Sequence, residues 1–164
     1  MAHIPVNHPL RPVYRTLAGL AGFYVFVSGV LGVARAWGDP LFARDSTWAL
    51  GLRLNMASAI LSLIFGGLVV AANILGGRQE HLVNIAAGAI SLATGFVSLA
   101  LLQHANFLNF SMTNVIVSFV FGLTFLTAGL YDKVGSPEDA DTEDGFRHGH
   151  LRLPHAGVTH GRAG

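Results

Sequence analysis

The chain has 164 residues, of which 52% are hydrophobic and only 12% charged, about half the charged share of a soluble domain. This composition argues against a water-soluble fold, and a formal net charge of +1 offers little to a nucleic acid. There is no cysteine, which excludes disulfides, thiolate metal sites and CxxC redox chemistry.

The charges are segregated. None lies between Arg15 and Arg35, none between Arg53 and Arg78, and none from His81 through Tyr131 with histidine neutral. A hydrocarbon core about 30 Å thick needs roughly 20 apolar helical residues, and each stretch is long enough. The last is long enough for two spans and is interrupted by Asn106, Asn109, Ser111, Thr113 and Asn114, where the chain must turn. The fold class expected is all-α: an integral membrane four-helix bundle with a cytoplasmic polar tail.

Residues 1–12 form a polar head with three prolines and two histidines, so helix formation is expected only from Val13, within a bundle domain at 13–135. The first span is read at about 16–34. Arg11 and Arg15 before an apolar run, with Ala34-Arg35-Ala36 after it, resemble a signal peptide, but the run exceeds the usual 7–15 residue core and is read as a span. Loop 1, from Arg35 to Arg53, carries Trp37 and Trp48. Tryptophan prefers the headgroup layer, so this loop is expected on the membrane surface, with Arg35, Arg44 and Arg53 as candidate headgroup ligands.

The second and third spans, about 54–76 and 82–103, are joined by Gly76-Gly77-Arg78-Gln79-Glu80-His81, short enough to force an antiparallel hairpin. Loop 3, with Phe107, Leu108 and Phe110, reads as interfacial and leads into a fourth span at about 113–131, while Tyr14 and Tyr131 mark the opposite face. Placing the N-terminus inside puts Arg11, Arg15, Arg78, Lys133 and Arg147 on one side against Arg35, Arg44 and Arg53, which favours cytoplasmic termini. Beyond Gly135-Ser136-Pro137, the tail at 136–164 divides into an acidic block and a block rich in His and Arg. It has too little apolar surface to offset its own ordering entropy.

One spacing recurs in every span: a small or polar residue, a glycine four later, and another small or polar residue seven after that. The sets are Ala18, Gly22 and Gly29; Ser62, Gly66 and Asn73; Asn84, Gly88 and Gly95; and Ser118, Gly122 and Gly129. Such positions share a helix face and permit close backbone approach, on which helix association in lipid depends. Folding the 2–3 hairpin sets Ser62 opposite Gly95, Gly66 opposite Ser91, and Asn73 opposite Asn84. For spans 3 and 4 the corresponding register sets Gly95 against Gly122 and Gly88 against Gly129. Replacement of Gly95 by leucine is expected to disrupt the bundle.

The sequence calls for no cofactor and no metal. His81 and His104 would lie about 35 Å apart along one helix, too far to share a haem. The tail histidines His148, His150, His155 and His160 match no structural zinc spacing. No span holds Asp, Glu, Lys or Arg, as coupled transport would ordinarily require.

The Asn7-His8-Pro9 head with Arg15, the Gly-rich first span, His81-Leu82-Val83-Asn84 and the closing Ala128-Gly129-Leu130-Tyr131 resemble an actinobacterial family of small four-helix membrane proteins of unknown function. The resemblance covers roughly residues 5–135 and implies a plasma-membrane protein without an assigned activity. Arginine outnumbers lysine nine to one, in keeping with a GC-rich bacterial genome.

The expected role is therefore a non-enzymatic accessory or scaffold subunit of a larger membrane complex, with membrane lipids as further partners and neither nucleic acid nor a soluble substrate. The alternatives are an oligomeric passive channel lined by Asn73, Asn84 and Ser91, and a lipid-binding membrane protein.

Overall fold

The computed structural model describes residues 10–44, 47–102 and 105–131. The acidic and histidine-rich blocks of the tail, His104, Lys133 and most of the N-terminal head lie outside the described residues. Four long helices dominate: α1 (Arg11–Arg35), α2 (Met56–Leu75), α3 (Gly77–Leu101) and α4 (Met112–Tyr131). All four are long and apolar enough to cross a membrane. Between α1 and α2 sits a two-stranded antiparallel hairpin, β1 (Thr47–Ala49) and β2 (Leu52–Leu54), with Trp48 paired to Arg53. An all-α reading missed this hairpin.

The element boundaries have local causes. α1 begins at Arg11, ahead of the position expected, because Pro12 falls in the first turn, where its missing N–H would have had no partner anyway. Asn55 and Ser58 cap α2 reciprocally: Asn55 Oδ1 accepts from Ser58 N at 2.9 Å, and Asn55 N donates to Ser58 Oγ at 2.9 Å. The turn between α2 and α3 is tighter than a six-residue connection. Gly76 and Gly77 both have φ of 72°, and the helix resumes at once, so Arg78, Gln79, Glu80 and His81 belong to α3. The hairpin turns at Leu50 and Gly51, with φ of 50° and 84°, the two positive values a two-residue turn of this hand requires.

α1 packs closely along α2, and α3 along α4; the α1–α4 and α2–α3 sides of the bundle are much looser. Glycine makes the two tight pairs possible. A Cβ on Gly66 would collide with the backbone of Phe26, and one on Gly29 with the backbone of Leu63. On the other pair, a Cβ on Gly88 would lie 2.7 Å from Leu126 N, and one on Gly129 2.8 Å from Ile85 N. The α1–α4 side is filled by aromatic rings: Tyr14 stacks on Tyr131 at 4.8 Å, and Tyr24 meets Phe121 edge-on at 5.4 Å. Ala18, Ala21, Val69, Ala87, Phe125 and Ala128 form the buried centre.

The α3–α4 register differs from the expected one. Glycine does not face glycine: Gly88 receives Leu126, Gly122 receives Leu92, Gly129 receives Ile85 and Gly95 receives the ring of Phe119. The helices are offset by about three residues, or roughly 4.5 Å. Two facing glycines would leave a gap, whereas a glycine opposite a bulky side chain fills it.

Candidate functional site

Three polar or hollow features distinguish the bundle. The first lies at the end holding the start of α1 and α3. Glu80, three residues into α3, is completely buried. Its Oε2 lies 3.2 Å from Arg11 Nη2, and its Oε1 3.2 Å from Arg15 Nε. Arg15 also donates to the carbonyl of Asn73, through Nε at 3.0 Å and Nη2 at 2.6 Å, and to that of Ile74 at 3.3 Å. One guanidinium therefore serves the free carbonyls ending α2 and a carboxylate at the start of α3, each charge at the helix end where the dipole favours it. Asn73 Nδ2 donates to Asn84 Oδ1 at 3.2 Å, and His81 Nδ1 lies 2.6 Å from the carbonyl of Gly129, bringing in α4.

The second feature, at the opposite end, seats the hairpin. The Asn114 side chain pairs with Arg53 as another strand would: Oδ1 accepts from Arg53 N at 3.0 Å, and Nδ2 donates to Arg53 O at 2.9 Å. The same Oδ1 accepts from Ser111 N and Ser111 Oγ. Arg53 Nε donates to Asn109 O at 2.9 Å, Asn55 Nδ2 to Phe107 O at 2.8 Å, and Tyr24 Oη to Leu50 O at 2.6 Å. Arg35 donates to the carbonyl of Trp48.

The third is a cavity of about 250 Å³ lined mainly by α2, α3 and α4, with Val25 of α1, β2, and Leu108 and Phe110 before α4 completing its wall. Its walls are mainly aliphatic and aromatic, with Phe65, Phe121 and Phe125 among them, and its polar lining includes Ser62, Ser91, Thr94 and Ser118.

The thirteen residues expected to pack helices do not share one seam. Ala18, Gly22, Gly29 and Gly66 lie in the α1–α2 contact or the centre beside it, and Gly88, Gly95, Gly122 and Gly129 in the α3–α4 contact. Asn73 and Asn84 meet, as the hairpin register required. The rest of that register fails, because Gly66 turns to Phe26 on α1 and Gly95 to Phe119 on α4, which leaves Ser62, Ser91 and Ser118 at the cavity. Among the candidate headgroup residues, Trp37 is 80% exposed and Arg44 is exposed, but Arg53 spends its Nε on the Asn109 carbonyl. The proposed trio of arginines is thereby reduced.

Glu80 is the residue that sequence reasoning missed. It was counted only as part of the connection between the second and third spans; the signal was its place three residues after a double glycine, with two arginines near the start of α1. Among the described residues, no three of His, Asp and Glu stand close enough to hold a metal ion. No family model, no curated protein and no solved structure matches the chain.

Proposed function

We propose that the chain is a multi-pass protein of a bacterial plasma membrane, with cytoplasmic termini, acting as a non-enzymatic accessory or scaffold subunit of a larger membrane complex. An energy-transducing assembly is one host that such a subunit would suit. The observation that carries the reading is the outward face of every helix. Leu17, Leu20 and Phe23 on α1, Leu61, Ile64 and Leu68 on α2, Phe96 and Val97 on α3, and Ile116, Val120 and Leu123 on α4 are all exposed. An apolar surface of that extent is suited to lipid or to other helices, not to water.

Both ends of the bundle are tied by hydrogen bonds between separate elements. This supports a scaffolding role over a gated one. The orientation rests on Arg11, Arg15 and Arg78 lying at one end and Arg35, Arg44 and Arg53 towards the other. A lipid-binding role is the second reading, favoured by exposed Trp37 and Arg44 in the loop after α1.

The test is purification of the native protein through an N-terminal tag in mild detergent, followed by mass spectrometry and native-gel sizing. Stoichiometric recovery of a larger assembly is expected. A lone monomer or homo-oligomer overturns the subunit reading.

A further inference from the structure

We infer that the cavity between α2, α3 and α4 is a binding site for a neutral, membrane-soluble ring bearing oxygen on opposite edges, of the quinone or quinol class. Four of the five hydroxyls on its wall, from three helices, are Ser62 on α2, Ser91 and Thr94 on α3, and Ser118 on α4. None of them bonds to another described residue. Three hydroxyls elsewhere in the bundle are spent on their own helix. Thr16, Ser28 and Thr124 each donate to the carbonyl four residues back, at 2.8 Å. Ser91 is the decisive case, because it is only 8% exposed and lines the cavity with its hydroxyl unspent.

The remaining polar groups on the wall are already occupied. Ser58 is committed to the cap of α2, and Asn114 to the hairpin. No lining residue is ionisable, so a charged occupant would find no counter-charge. Aromatic rings form the inner wall, Phe125 standing 6.0 Å from Phe65 and 6.2 Å from Phe121, and they offer faces and edges to a flat guest. An apolar cavity of about 150 Å³ accepts benzene, so one of about 250 Å³ has room for a substituted ring. An acyl chain offers these hydroxyls no partner and would leave them to turn back on their own helices, whereas ring oxygens at two edges can pair with hydroxyls on facing helices. Leu61 and Ile90, exposed on α2 and α3, put the mouth on the loosely packed side of the bundle. Access from the bilayer rests on the proposed membrane insertion; the binding chemistry does not.

The test uses the purified full-length protein in detergent, titrated with menadione and followed by saturation-transfer NMR on the probe, with empty micelles as the control. The chain has no cysteine, so menadione cannot form a thiol adduct with it. Ser91→Leu and Ser118→Leu fill open space and are expected to leave the thermal midpoint of the free protein unchanged while weakening binding at least tenfold. Ser91→Ala keeps the space and removes one hydrogen bond, for an expected loss of about three- to tenfold. No saturable binding, or equal binding to wild type and both leucine variants, overturns the proposal. So does a phospholipid that copurifies with wild type, blocks menadione and is lost from Ser91→Leu, because the cavity would then hold an acyl chain. None of these outcomes depends on whether the protein is a subunit of anything.

Discussion

Arg15 and Glu80 are unequal partners, and the inequality can be measured. Glu80 is fully buried, whereas the side chains of Arg11 and Arg15 retain 26% and 38% of their exposure. Removing Arg15 leaves a buried carboxylate with less compensation and strips the end of α2 of its donor, so Arg15→Gln is expected to cost on the order of 3 kcal/mol. Glu80→Gln leaves arginines that water can still reach and should cost about half as much. Equilibrium unfolding in mixed micelles would show this order, and the reverse order would refute the account. Glycine variants should also rank. Gly66→Ala drives a methyl into the Phe26 backbone and is expected to cost about 1–3 kcal/mol, while Gly95→Ala meets only the edge of the Phe119 ring, which can tilt away, and should cost less. The small-residue spacing was legible from composition and helical period alone. Which partner each glycine would face was not, because four equivalent stripes can pair in several ways, and the bulky residues that choose among them, Phe26, Leu92 and Leu126, look like any others in an apolar run.

The hairpin shows how an element of six strand residues is held by side chains from elsewhere. Asn114 supplies a donor and an acceptor to Arg53, as a third strand would, so Asn114→Leu should free the hairpin without unwinding α4. Hydrogen exchange is the suitable measurement: faster exchange confined to residues 47–54 is expected, and unchanged protection there would contradict it. Leu50 adopts a positive φ that a leucine pays for and asparagine tolerates. Leu50→Asn, which makes the Asn-Gly pair this turn prefers, is expected to raise stability by about 1 kcal/mol in the same unfolding assay. The turn was faintly legible in the alternation of Leu52, Arg53 and Leu54 after Gly51. Two tryptophans nearby made the whole segment read as interfacial instead. Asn109 and Asn114 both read as loop-formers; Asn109 is one, with a positive φ, whereas Asn114 lies in the first turn of α4, and nothing in the local sequence indicates that they meet Arg53 more than fifty residues back.

At the scale of the molecule, the four helices were legible because segregation of charge is a whole-chain property that no local ambiguity disturbs. The absence of cysteine makes the proposed orientation directly testable. Trp37→Cys and Arg78→Cys place single thiols on exposed positions at opposite ends of the bundle. A membrane-impermeant maleimide should label the first in intact cells and the second only after permeabilisation; the opposite pattern would invert the topology. The uneven packing of the four sides carries a further consequence. Each tight pair, α1 with α2 and α3 with α4, is contiguous in sequence, so the first can close before the ribosome has made the second. The molecule is in effect two helical hairpins that dock through aromatic rings on one side and through the polar clasp of Arg11, Arg15 and Glu80 at one end. A chain severed between Gly76 and Gly77 and coexpressed as two fragments is thus expected to reassemble, with the clasp holding the halves in register.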